Sequence, residues 1–296
     1  MRFLMVFVAL VAMLSVSVAE DQFQGSDFVK QHLNSIGPEQ ARAAVKNRGV
    51  GGAVSFQIVT GGTAREDGKQ VLISEGDKLA SLLQLPNHTY PGERFVSDGK
   101  KVFVAEIEAS VHSALGEFVM VHSEILTEGL WGGTLSTGWA LAHMDQRLAK
   151  LEDRGLKKVD GHELHRVDYV PKKSSDLQIE LYFEPDTFRH VLTVYSCITA
   201  PPMSHNRAED ARQLPLHYRL EEHFADFKSI DNLSLPSHWT IQFSSDRPGG
   251  LSGYSGNKRS PLRNERASPT EIYQFDVTET SLSHNIPIDP KNFEVK

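Results

Sequence analysis

A chain of 296 residues, 40% of them hydrophobic, can form one large domain with a sizeable core. Its formal net charge of −7 argues against a nucleic-acid partner, which requires clustered Lys and Arg. A single cysteine, Cys197, rules out an intramolecular disulfide, so packing must carry the stability.

Residues 1–19 have the pattern of a secretory signal peptide. Arg2 precedes an apolar run from Phe3 to Leu14, and Val16-Ser17-Val18-Ala19 makes a small-residue ending before Glu20-Asp21. The run is short for a membrane span, and no cysteine lies near the cut to take a lipid. The expectation is an exported chain without a stable membrane anchor, beginning near Glu20. Residues 20–296 are then a single domain.

Ser26 as N-cap, apolar spacing through Phe28, Val29, Leu33 and Ile36, and Gly37 predict a first helix. A second short helix is expected from Pro38 to about Asn47. After the Gly49–Gly52 run the period changes, and Val54, Phe56 and Ile58 alternate with polar residues as in a half-buried strand. Further strands are predicted at 69–75, 78–85, 93–97 and 101–106, with Asp98-Gly99 as a hairpin signal. Residues 113–150 interrupt them. Leu115, Phe118, Val119, His122, Ile125 and Leu126 form an apolar helical stripe, Gly129–Gly133 breaks it, and a second helical pattern covers 136–149. Strands resume at 155–159, 162–169, 176–184, 188–198, 216–228, 237–244 and 270–279. Residues 200–214 and 245–269 read as loops, the second a mobile one.

Chemistry-bearing patterns are sparse. His162-Glu163-Leu164-His165 lacks zinc-protease spacing, and a strand would turn its histidines to opposite faces, so no metal is expected. Neither glycine-rich turn near Ser136 or Ser252 has the spacing of a nucleophile elbow. Cys197, in a β-branched run, reads as a buried thiol, and His122 as a hydrogen-bonded core residue. Glu221-Glu222, adjacent on a strand, point apart and read as a solvated face. No catalytic residue and no cofactor is assigned. Apolar surface is plentiful instead: Phe56, Leu83, Leu85, Phe95, Phe118, Ile125, Trp131, Leu181 and Phe183 are candidates to line an apolar cavity between sheet and helices, or to be ordinary core.

Several strand phrases carry a resemblance. They are Tyr90-Pro91-Gly92-Glu93-Arg94-Phe95-Val96 with Asp98-Gly99-Lys100, then Leu181 to Val191, Phe224-Ala225-Asp226-Phe227 and Leu235-Pro236. Together they resemble exported bacterial proteins related to the LolA/LolB-type lipoprotein carriers. That resemblance implies an unclosed β-barrel with helices plugging its mouth and an apolar cavity for lipoprotein acyl chains. The absence of a lipid-attachment cysteine is similar to the soluble carrier rather than to its anchored receptor. The family's functional arginine and tryptophan have no matching motif, so no binding residue is carried over.

The sequence therefore predicts an α+β fold, mainly antiparallel β. A large curved sheet would form an open barrel with a helical insertion on its concave face. The expected function is a non-enzymatic periplasmic carrier of lipid or a lipidated protein. A cell-envelope protein-interaction module is the alternative, and a secreted hydrolase the third.

Overall fold

The computed structural model describes residues 25–59, 65–86, 90–107, 113–173, 175–199, 215–246 and 271–295. Residues 1–19 and the segments 200–214 and 247–270 lie outside them, so the expected signal peptide and most of the expected mobile loop are not part of this description. Two helices come first, α1 (Gly25–Ile36) and α2 (Glu39–Ala44). Five strands follow: β1 (Asn47–Ile58), β2 (Glu66–Glu75), β3 (Lys78–Gln84), β4 (Gly92–Ser97) and β5 (Val102–Glu106). The insertion holds α3 (Ala114–Val121), α4 (Glu124–Thr127), short 3-10 turns at Gly133–Leu135 and Ala140–His143, and α5 (Met144–Arg147). Seven strands complete the chain: β6 (Lys150–Val159), β7 (His162–Val170), β8 (Gln178–Phe183), β9 (His190–Thr199), β10 (Leu216–Ile230), β11 (Leu233–Asp246) and β12 (Glu271–His284).

All twelve strands belong to one antiparallel sheet in the order β5-β4-β3-β2-β1-β12-β11-β10-β9-β8-β7-β6. The two halves of the chain each meander outward, and β1 pairs with β12 to join them at the centre. The edge strands, β5 and β6, are neighbours in sequence and do not pair with each other, so the barrel stays open. The insertion is the connection between those edges. A chain leaving one rim to reach the other must cross the concave face, and this one buries its apolar residues there.

Period-2 alternation explains the core. Val50, Val54 and Phe56 of β1, Ile179, Leu181 and Phe183 of β8, and Trp239, Ile241 and Phe243 of β11 are all buried and join one cluster with the insertion. Among the described residues, two small apolar clusters lie apart from this core. Phe293 of the C-terminal segment covers Ala80 and Val96, and Tyr182 packs with Leu192 and Val194.

Local bounds differ from expectation in three places. The Gly49–Gly52 run, expected to precede the first strand, is itself part of β1, which starts at Asn47. The strand uses its missing side chains: a Cβ on Gly49 would lie 2.5 Å from Ile286 Cδ1, and one on Gly52 2.5 Å from the Thr278 carbonyl oxygen. The region 136–149 is not one helix: residues 136–139 are irregular, and a 3-10 turn at Ala140–His143 leads directly into a single α-turn at Met144–Arg147. Its irregular start is held from outside a helix: the Thr137 amide donates to Ser74 Oγ of β2, and the Gly138 carbonyl accepts from the Arg147 side chain. The second helix ends at Ala44, three residues early, because Val45 turns extended to lead into β1.

Candidate functional site

The nine candidate cavity residues come together. Phe56, Leu83, Leu85, Phe95, Phe118, Ile125, Trp131, Leu181 and Phe183 are all at most 5% exposed and belong to one core cluster. Their rings interlock with others across the sheet–insertion boundary. Trp131 lies 4.9 Å from Phe95 and 5.6 Å, edge-on, from Trp239, while Phe118 lies 5.3 Å from Phe243. Phe183 meets Phe28 of α1 edge-on at 4.9 Å. Close approach at Trp131 depends on Gly132, whose φ is +73° and whose absent Cβ would sit 2.8 Å from Leu72 Cδ1.

Buried polar groups of the sheet and of α1 fasten the insertion at separate points. Glu222 accepts from the Gly132 amide at 2.7 Å and from the Tyr195 hydroxyl at 2.8 Å. Arg48 donates to the Thr134 carbonyl at 2.6 Å. Ser74 accepts from the Thr137 amide at 2.9 Å. Glu93 accepts from the Ser113 amide and hydroxyl, and so holds the start of α3. Arg147 ties the far end to the Thr127 and Gly138 carbonyls and to Asp77. His32 of α1 accepts from Trp139 Nε1 at 2.8 Å, so its other nitrogen, Nδ1, carries the proton and donates to the Phe188 carbonyl.

Burial sets the charge of these groups. Removal from water pushes the Glu222 carboxyl up to about 8, against the lowering effect of its donors, so it is mostly protonated at neutral pH. The same cause brings the His32 imidazole down to about 4 and keeps it neutral. Glu279, also inward-facing, is raised to about 8, and neither of its oxygens has a partner. Glu222 corrects the sequence reading: only Glu221 is on the wet face, with Arg219 and His223, whereas Glu222 shares the inward parity of Leu220 and Phe224. That parity was the available signal.

His122 is buried beside Cys197, with Nε2 3.4 Å from Sγ, as a core residue with a partner. Burial raises the Cys197 thiol, which disfavours the thiolate that a nucleophile needs. His165 of β7 is held by Asp153 at 2.7 Å, while His162 occupies the hairpin end of the same strand.

Open space lies on the insertion's outer flank. One crevice of about 730 Å3 runs between α1 and residues 141–151, lined by Val29, Leu33, Met144 and Leu148. A second, about 310 Å3, lies between α2 and residues 134–143 and includes Arg48 and Thr134. Leu33, Arg42 and Ala142 line both, so the two crevices adjoin.

No protein-family model and no curated protein matches this sequence. Solved structures do. A LolA superfamily protein from Nitrosomonas europaea is similar over 92% of this chain and 98% of its own, at 10% identity and a TM-score of 0.47. A protein domain from Vibrio parahaemolyticus named for outer membrane lipoprotein sorting is similar over 91% and 97%, at 10% identity and 0.43. The likeness is one of fold. A DUF1329 family protein from Desulfovibrio piger gives 12% identity and 0.43 over 91% and 96%.

Proposed function

We propose that this protein is a periplasmic carrier that binds lipid or a lipidated protein and performs no catalysis. The observation that supports this reading most is the open sheet whose two rims are bridged by an apolar insertion fastened through separate polar contacts. Such an element can lift from one end, because each contact is a discrete bond rather than a continuous ladder. Acyl methylenes entering apolar surroundings would supply the drive, about 0.8 kcal/mol each. Among the described residues no helix is long and apolar enough to cross a membrane. The nine buried apolar residues named above are the proposed lining once the insertion moves aside. Delipidated protein should bind fluorescent fatty-acyl probes saturably, and absence of binding would defeat the proposal.

The alternative, a protein-interaction module of the cell envelope, is favoured by the open edge of β6, ten residues long and largely exposed. Recovery of a folded partner by a lipid-free preparation would support it.

A further inference from the structure

The adjoining crevices have an apolar part and a polar end, and the polar end is unusual. Arg48 is 5% exposed, yet its Nε has no acceptor, and the Thr134 hydroxyl beside it also lacks a partner. Among the described residues no carboxylate lies within ion-pair distance of Arg48, so a buried guanidinium stands without a countercharge. Two more cations, Lys30 and Arg42, line the crevices, against Glu39 and Asp145. The local balance is positive in a chain whose net charge is −7. At the other end the surface is greasy: Leu148 is 57% exposed, and Val29, Leu33, Met144 and Leu151 are half-buried beside it.

We infer that these crevices are a binding site for a single-chain anionic amphiphile, with its carboxylate on Arg48 and its hydrocarbon chain lying between α1 and residues 141–151. This rests on the carrier reading and adds the head-group chemistry and a second location, outside the closed insertion and distinct from the interior lining proposed above. The carboxylate supplies the missing countercharge and accepts from Arg48, while Thr134 can donate to a second oxygen. A guanidinium suits this task because its planar fork matches the two carboxylate oxygens. The chain covers Leu148 and its neighbours, which otherwise face water. Ala142, where the two crevices meet, marks the bend between head and tail.

The test uses the chain from residue 20 onward, delipidated, and a fluorescent long-chain fatty acid beside the matching alcohol. The acid should bind about tenfold tighter than the alcohol, the scale of one hydrogen bond to a charged group. Arg48→Gln should abolish that preference. Ala142→Trp, which fills the junction from an exposed position and removes no buried polar group, should weaken both probes and so guards against a fold defect in the Arg48 variant. Equal affinity for acid and alcohol, or unchanged binding in Ala142→Trp, overturns the inference while leaving the carrier reading intact. Failure of every acyl probe to bind overturns both.

Discussion

The insertion has two sides, and they are built differently. Its inner side, from Leu130 to Leu141, is almost wholly buried, with Trp131, Leu135 and Trp139 at 2% exposure or less. Its outer flank, from Ala142 to Leu148, leaves apolar carbon in water and borders open crevices. A segment that served only to plug the barrel would not need the second arrangement. The difference locates stability on the inner side and room for a ligand on the outer, unless the insertion moves.

Substitutions on the two sides should therefore separate. Trp131→Ala should lower stability by about 3–5 kcal/mol, read as a fall in the urea midpoint at constant slope. An unchanged midpoint would erase the distinction between the sides. The Glu222 carboxyl makes a pH-dependent version of the same test. Its folded value, about 8, lies above its ordinary 4.5, so the folded state holds a proton that the unfolded chain releases. Its contribution is complete below the ordinary value and is lost as pH rises toward 8. Between pH 5 and 7 wild type should lose roughly 2–3 kcal/mol relative to Glu222→Gln. Parallel stability–pH curves for the two proteins would show that the carboxyl is not held as described.

Trp139→Phe keeps most of the packing but leaves His32 Nε2 without its donor, and should cost about 1–3 kcal/mol by thermal or chemical unfolding. On the outer flank, Leu148→Gly should have the smallest effect. Leu148 sits at φ +56°, which disfavours a side chain, and its removal should change stability by no more than about 1 kcal/mol, in the stabilising direction. A loss comparable to that of Trp131→Ala would place Leu148 in the core and refute the contrast.

Much of the fold is legible in the chain. Alternation marked strands such as β1 and β8, because a half-buried strand has to present every second residue to the core, and turn residues bounded the others. Asp98-Gly99 joins β4 to β5, and the Asp98 carboxylate accepts from the Lys100 and Lys101 amides. Asp160-Gly161 carries the same signal, with φ of +48° and +86° between β6 and β7. The apolar residues proposed for the interior are all inside. What was not legible is the polar half of the site. Arg48 and Glu222 look like any charged residue on a strand until their inward parity and the path of the insertion are known. The segment 136–149 shows the same limit: helical spacing of its apolar residues is real, but its first residues bond to Ser74 of β2 and to the segment's own His143 and Arg147 side chains instead of continuing a helix.

The sequence by itself determined the class of this protein: an acidic, disulfide-free chain of alternating strands with one apolar interruption. Local chemistry is enough for that, since period, turn residues and burial preference act within a few positions. Only the tertiary structure decided that β1 pairs with β12, that the rims β5 and β6 stay apart, and that Arg48 of β1 meets Thr134 of the insertion 86 positions away. Those choices depend on which faces and edges meet once the sheet curves, and no spacing along the chain encodes a contact of that range.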